Sequence, residues 1–197
     1  MSLLQEVSTG SNADAANILT NDSILLVLVK MLRHSKVTGP IISLVSSLLR
    51  NEEVDIIQLY ALRTIESISS QGGYWSACFT SQYVITNLCY IIRAPGKQEI
   101  MRLIAGSCLT RLVRFSLSSI QRVMDKLSFK DMVSILVKRN PREQQICLNI
   151  LNMTLIESQT LPSVGRYLLA LVKDKNLVLY LLNLIEQGSE VLKGKVG

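Results

Sequence analysis

Apolar residues recur every three or four positions along most of the 197-residue chain, which is the period of a helix that buries one face. Short breaks containing Gly, Pro or Asn separate these segments, and nothing in the sequence reads as a strand followed by a turn. Residues 1–20 are small and polar, and we expect them to be a loose lead-in to a single domain over residues 21–197. The pattern predicts helices over residues 23–33, 40–50, 54–70, 74–80, 83–93, 97–117, 118–127, 129–138, 142–158, 163–173 and 176–192.

Three of the longest predicted helices, at about 54–70, 97–117 and 142–158, carry the same short pattern. A small residue is followed by Leu and, three places later, by a bulky apolar residue: Ala61-Leu62-x-x-Ile65, Cys108-Leu109-x-x-Leu112 and Cys147-Leu148-x-x-Leu151. Each long helix follows a short and a medium one, and residues 163–192 begin a fourth unit without its long helix. A unit that recurs in this way predicts an α-solenoid, because one unit cannot bury its apolar faces alone. A generic helical bundle would also contain amphipathic helices, but it does not explain the repeated order.

The segment IISLVSSLLRNEEVDIIQLYALRTIESIS, residues 41–69, closely resembles an armadillo repeat from its second helix through its third. Residues 84–116 (VITNLCYIIRAPGKQEIMRLIAGSCLTRLVRFS) and 132–158 (MVSILVKRNPREQQICLNILNMTLIES) are looser copies of the same pattern. The resemblance to the armadillo/HEAT-repeat family implies an all-α, right-handed superhelix of about four helical repeats. It also implies that the third helices line a concave face.

In nuclear-import adaptors of this family, the concave face carries a ladder of Asn residues, with Trp one turn earlier. The Asn places here hold Ser67, Arg114 and Met153, and the Trp places hold Arg63, Thr110 and Asn149. Both ladders are therefore absent, which disfavours a receptor for nuclear localisation signals. By the same resemblance, these six residues and Arg111 are the candidates for contact with a partner in the groove.

A second resemblance concerns the segment YALRTIESISSQ, residues 60–71, which is similar to the armadillo-like C-terminal tails of the fused and Unc-51-like protein kinases. Those tails organise cytoskeletal, ciliary or cytokinetic assemblies. The 197 residues contain no G-x-G-x-x-G loop, no H-R-D and no D-F-G, so a kinase domain is not present in them. The resemblance implies a non-catalytic regulatory or scaffolding region, located in the cytoplasm or at the cytoskeleton.

Residues with catalytic or metal-binding chemistry are few. The single histidine, His34, lies at the end of a predicted helix, where a cation interacts favourably with the last carbonyls. The four cysteines are 11, 19 and 39 residues apart, a spacing that matches neither a zinc site nor a disulfide scaffold, so we expect structural thiols. No apolar run approaches the roughly 18–20 residues of a membrane-spanning helix. We therefore expect neither enzymatic activity, nor a cofactor, nor a membrane association.

The net charge of +6 is concentrated in one part of the chain. Residues 91–142 hold 11 Lys or Arg against 3 Asp or Glu, a net charge of +8. We expect a basic patch formed by Arg102, Arg122, Lys126 and Lys130, together with Arg111 and Arg114. Such a patch favours a protein or peptide partner with acidic or phosphorylated character. A polyanion such as RNA or a microtubule surface is the alternative, although the aromatic residues that stack on bases are scarce here, and ordinary solvated surface would explain the charge equally well.

The fourth, partial unit leaves apolar residues at the C-terminal end of the sequence, around Leu177, Leu181 and Leu184. The ends of solenoids normally carry a polar cap, because an uncovered apolar face is exposed to water. This end is therefore a candidate surface for a homodimer.

Overall fold

The computed structural model describes residues 35–50, 55–157, 165–166, 169–170, 173, 175–187 and 190–196, and every regular element within them is an α-helix. The predicted lead-in at 1–20, the predicted helix at 23–33, His34 and most of the predicted helix at 163–173 lie outside the described residues. The chain divides into two compact units, Met1–Asn87 and Leu88–Gly197. The expectation of a single domain over residues 21–197 stays a prediction.

Among the described residues of the first unit there are three helices and the beginning of a fourth. They are α1 (Ser35–Leu49), α2 (Asp55–Ser69), α3 (Gly73–Cys78) and the first half of α4 (Gln82–Arg93). Helix α1 packs against α2, and the predicted small-Leu-x-x-Ile pattern of α2 is fully buried in this contact. Gly72 precedes α3 with φ 134°, a backbone conformation that favours glycine. The Ser76 hydroxyl donates to the Ser69 carbonyl at 3.1 Å and so ties α3 to the end of α2.

Helix α1 begins earlier than the sequence predicts, at Ser35 instead of Pro40. Pro40 removes one backbone hydrogen bond and is unfavourable inside a helix by about 3 kcal/mol. Four apolar side chains of α1 are nevertheless buried: Ile41, Val45, Leu48 and Leu49. At roughly 1.5–3 kcal/mol for each buried side chain, this face outweighs the proline.

The second unit is built around two long helices. The elements within its described residues are the second half of α4, α5 (Glu99–Arg114), α6 (Leu117–Lys126), α7 (Phe129–Lys138), α8 (Pro141–Glu157), α9 (Lys175–Gln187) and α10 (Glu190–Val196). Helix α8 packs against α5, α6, α7 and α10. Helices α5 and α8 pack tightly at Gly106, where an added Cβ would lie only 2.6 Å from Cγ2 of Ile146. The absence of a side chain at Gly106 therefore allows the two long helices to pack directly against each other.

The repeated pattern occupies the core in both long helices of the second unit. Cys108, Leu109 and Leu112 are fully buried on α5, and Cys147 and Leu148 are buried on α8. The last position of the third copy differs, because Leu151 is only half-buried. The predicted role of the pattern as a core face is thus confirmed for both helices.

A repeated glutamine was missed by the sequence analysis. Gln58 and Gln144 each lie three residues before the small residue of the pattern. The Gln58 amide donates to the Leu49 carbonyl at 2.8 Å, and the Gln144 amide donates to the Leu136 carbonyl at 2.9 Å. Both side chains thus bind the last carbonyls of the preceding helix, which would otherwise lack a partner. This hydrogen bond links the second and third helices of each of these two repeats.

The predicted helix at 176–192 is observed as two helices, α9 and α10, and α10 packs against α8. Gly188 and Ser189 separate them in the sequence, and these residue types favour helix ends and helix starts. The predicted apolar end is also different in detail, since Leu177 is buried and both Leu181 and Leu184 are half-buried. The exposed apolar residues of α9 are Val178, Leu179, Leu182 and Ile185.

Candidate functional site

An open cleft of about 470 Å³ lies in the second unit, where the C-terminal ends of α5 and α8 meet. Its walls come from three helices and from the short connection between α5 and α6. The lining residues are Val113, Arg114, Phe115, Ser116, Ile120, Met153, Ile156 and Glu157. The cleft brings together two of the residues predicted for the groove, Arg114 and Met153.

The end of α5 shapes one wall of the cleft. The Phe115 N–H donates to the Leu112 carbonyl at 3.2 Å, and the Ser116 N–H donates to the Val113 carbonyl at 3.4 Å. These bonds tighten the last turn, after which α6 begins immediately at Leu117. The Phe115 side chain is left 50% exposed at the mouth, although phenylalanine is usually buried.

The last turns of α8 form the opposite wall. Thr154 is buried, with its hydroxyl donating to the Ile150 carbonyl at 2.7 Å and lying 3.8 Å from Sδ of Met124 on α6. This contact fixes the rotation of the helix end. Met153 then lines the cleft half-buried, while Ile156 remains 72% exposed at its rim.

The charges in the cleft are one guanidinium and one carboxylate. Arg114 is exposed and ends α5, where the partial negative charge of the helix C-terminus stabilises a cation. Within the described residues, its guanidinium makes no hydrogen bond and no ion pair. Glu157 is half-buried on the α8 side and already has an interaction of its own.

The other predicted groove residues have different environments. Thr110 is only 8% exposed, and its hydroxyl donates to the Gly106 carbonyl at 2.8 Å, so little of it is available to a partner. Arg111 and Asn149 are half-buried, one turn before Arg114 and Met153 on the same helices. On α2 in the first unit, Arg63 is exposed and Ser67 is half-buried. Their role in partner binding stays a prediction.

Arg102, predicted for the basic patch, lies instead in the packing between α5 and the start of α8. Its Nε is 2.6 Å from Oε1 of Glu143, its Nη2 is 3.3 Å from Oε2, and its Nη1 donates to the Lys97 carbonyl. Glu143 is 5% exposed and also binds Arg139 at 3.4 Å and the Asn140 amide at 2.9 Å. A buried carboxylate requires such partners, because an unpaired charge in the interior is strongly unfavourable.

Two further cations of this region also bind the fold itself. Nη1 of Arg93 donates to the Lys126 carbonyl at 3.1 Å, and Nη2 of Arg139 donates to the Arg93 carbonyl at 3.5 Å. Among the remaining members of the predicted patch, Arg122 and Lys126 are half-buried and Lys130 is exposed. The surface charge is therefore smaller than the count of Lys and Arg indicates.

The cysteines are free thiols, and three of them are buried: Cys89, Cys108 and Cys147. Burial raises the pKa of Cys89 to about 12, although Arg93 and Lys126 act in the opposite direction. Burial also raises the pKa of Cys147 far above its ordinary value. These thiols are protonated at neutral pH, as structural cysteines are.

The described part of the chain contains neither a cluster of metal ligands nor a membrane-spanning helix. There, no three His, Cys, Asp or Glu residues are grouped as ligands for a metal ion. In the same residues, no helix is both long enough and apolar enough to cross a membrane.

A curated relative is similar to most of the chain. The chain is 58% identical over 160 residues to the serine/threonine-protein kinase RUNKEL of Arabidopsis thaliana. The match covers 81% of this chain but spans only 12% of the length of that kinase. The predicted resemblance to a region of a protein kinase is thereby confirmed. No protein-family model matches the chain.

Solved structures with the same fold include designed armadillo repeat proteins. One, designed for modular peptide recognition, has a TM-score of 0.67 at 12% identity over 98% of this chain and 77% of its own. Another, in complex with the peptide (KR)4, has a TM-score of 0.57 at 13% identity over 98% of this chain and 87% of its own. The predicted all-α armadillo-type solenoid is confirmed by this likeness, which concerns the fold alone.

Proposed function

We propose that this chain is a non-catalytic protein-interaction region, which holds a segment of a peptide or protein partner in the cleft between the ends of α5 and α8. The observation that carries the proposal is the composition of that cleft. An arginine without a partner among the described residues lies beside Phe115, Met153 and Ile156. Arginine and aromatic residues are the side chains most enriched at the energetic centres of protein interfaces.

The size and openness of the cleft support a peptide ligand. Pockets for ligands typically enclose about 300–1,000 Å³, and a volume of about 470 Å³ can take several side chains. The designed armadillo protein in complex with (KR)4 shows that the fold is compatible with peptide binding. Peptide binding by this chain is our inference from its own residues.

The similarity to a kinase supports a role as a regulatory or scaffolding segment of a kinase-type protein. The matched region is 12% of that relative, and the 197 residues of this chain contain none of the kinase sequence motifs named above. In a protein of this type, phosphoryl transfer would belong to another segment. A cytoplasmic or cytoskeletal location stays a prediction.

A second copy of the chain is the partner we propose for the exposed apolar face of α9. Val178, Leu179, Leu182 and Ile185 recur at helical spacing and are 37–64% exposed. A continuous apolar stripe of this kind is unusual on a free helix surface. The pairing is independent of the cleft.

A selection from a phage-displayed library of random dodecapeptides tests the proposed function. We expect the wild-type chain to select peptides that bind at least tenfold more weakly to the double variant Arg114→Glu/Ile156→Ser. The matched control is Arg142→Glu/Val137→Ser, which changes the same two residue properties at exposed positions of the second unit away from the cleft. Circular dichroism and thermal unfolding check that both variants stay folded.

The outcomes separate the proposal from its alternatives. No selected peptide, or equal loss in both double variants, would overturn the cleft as the binding site. Binding of fluorescein-labelled single-stranded RNA without any peptide binding would favour the polyanion alternative. In that case, the affinity should fall steeply between 50 and 200 mM salt.

A further inference from the structure

We infer that the cleft recognises a segment in which a bulky apolar side chain is followed or preceded closely by a single carboxylate. This inference rests on the proposed function and adds the chemistry of the partner. It depends on three features of the cleft: its apolar floor and rim, the guanidinium of Arg114 and the carboxylate of Glu157.

The floor of the cleft is apolar and closed. Val113 is 3% exposed and Ile120 is 2% exposed, so their side chains form a packed apolar floor and present little surface of their own. The rim continues this surface with Phe115 and Ile156, which are 50% and 72% exposed. Burying one Leu, Ile, Phe or Met side chain of a partner here would remove apolar surface on both sides from water.

Met153 lies at the side of this floor and makes the cleft adaptable. A methionine side chain is unbranched and fits apolar groups of different shape. The cleft should therefore select for bulk and apolar character without requiring one residue type. A selected set of peptides should accordingly contain several apolar anchors.

The charge requirement follows from Arg114. Arg93, Arg102 and Arg139 all bind carbonyl or carboxylate oxygens of the fold, whereas the Arg114 guanidinium has no such partner among the described residues. An arginine binds a carboxylate through two parallel N–H···O bonds, which is stronger and more directional than binding by lysine. A carboxylate next to the anchor is the group that completes this pair.

Glu157 limits the number of carboxylates. It belongs to the α8 side of the same cleft, and Arg114 is the one cation among the lining residues, so a second carboxylate of the partner would have no cation there to pair with. A run of acidic residues, or a nucleic acid backbone with a phosphate on every nucleotide, is therefore a poor fit. One carboxylate directed to the α5 side can pair with Arg114 and stays away from Glu157.

The composition of the selected dodecapeptides tests this inference. We expect Asp or Glu to be enriched within two positions of a Leu, Ile, Phe, Met or Trp, without acidic runs. The pool selected on Arg114→Glu should lose this enrichment. The pool selected on the control Arg142→Glu should keep it.

A double-mutant cycle then measures the pair itself by fluorescence anisotropy. Replacing the peptide carboxylate by an amide should weaken binding to the wild type by about 10- to 100-fold, the range for a hydrogen bond to a charged group. The same replacement should change binding to Arg114→Gln by less than about twofold.

Selected peptides that are basic, or that lack an apolar anchor, would overturn this inference while leaving peptide binding intact. Equal effects of the amide replacement on wild type and Arg114→Gln would also overturn it. A selection that returns no peptide would instead overturn the proposed function.

Discussion

The contact between α5 and α8 at Gly106 predicts that Gly106→Ala destabilises the protein. It also predicts that the effect disappears or reverses when Ile146 is replaced by alanine. Adding a methyl group in Gly106→Ala places a carbon 2.6 Å from Cγ2, 2.8 Å from Cδ1 and 3.3 Å from Cγ1 of Ile146. Carbon atoms in contact prefer separations of about 3.5–4.0 Å, so the shortest of these distances is too small by about 0.9–1.4 Å. Either Ile146 must leave its rotamer or the two helices must move apart.

The expected effect is a loss of up to about 2 kcal/mol in the free energy of unfolding, the difference between a steric cost and a gain in helix propensity. Alanine is intrinsically better than glycine in a helix by about 1 kcal/mol, which opposes the steric effect. Overpacking typically costs about 1–3 kcal/mol. Ile146 cannot relieve the clash by a small rotation, because a β-branched side chain in a helix has one strongly preferred χ1 rotamer. The steric effect should therefore exceed the gain in helix propensity.

Urea unfolding monitored by circular dichroism at 222 nm measures this effect in two backgrounds. Ile146→Ala removes all three contacting atoms, so Gly106→Ala should become neutral or stabilising by up to about 1 kcal/mol in that background. Gly194→Ala is the matched control, because Gly194 also lies in a helix, α10, but a Cβ there meets no atom within 4 Å. The same destabilisation in both Ile146 backgrounds, or none in the wild type, would refute the proposed contact.

Three further predictions concern stability and association. Arg102→Ala should lower the free energy of unfolding by about 3–5 kcal/mol, because it deprives the buried Glu143 of its main partner; a loss under about 1 kcal/mol would contradict a structural ion pair. Between pH 9 and 11, the free energy of unfolding of the wild type should fall by about 1.4 kcal/mol per pH unit relative to that of Cys89→Ala. The reason is that the thiol ionises at its ordinary pKa in the unfolded chain, whereas in the folded chain it keeps its proton up to a pKa of about 12. Parallel pH profiles of the two proteins would contradict this. Leu182→Glu should abolish self-association in sedimentation velocity, and a wild type that is monomeric at high micromolar concentration would argue against the pairing of α9.

The sequence was sufficient for the helices because their signal is local. A period of three to four residues is present in every segment, whatever its neighbours are, and α7 is observed at the predicted residues 129–138. The predicted start of α1 was wrong because tertiary packing outweighed a local sequence preference. Pro40 predicted a helix start, but the buried face that follows it carries the helix through the proline.

The cleft was only partly predictable. Family register pointed to Arg114 and Met153, which the cleft does contain. The exposure of Phe115 could not be predicted from the sequence, because it follows from where α5 ends and α6 begins. Arg102 was misplaced because its partner Glu143 is 41 residues away in sequence. By contrast, the repeated Gln58 and Gln144 could have been found from their constant position before the small residue.

The arginines in the basic region of this chain have two kinds of surroundings that a count of charges cannot separate. An arginine that binds buried oxygens, such as Arg102, lowers the energy of the folded state and has little capacity left for a partner. An exposed arginine at a helix end, such as Arg114, contributes little to stability when it has no partner, but its guanidinium keeps both N–H edges for a ligand. Substitutions at the two positions should therefore have opposite profiles, with stability lost at Arg102 and affinity lost at Arg114. Because both residues lie on α5, this contrast follows from their surroundings and not from the helix that carries them.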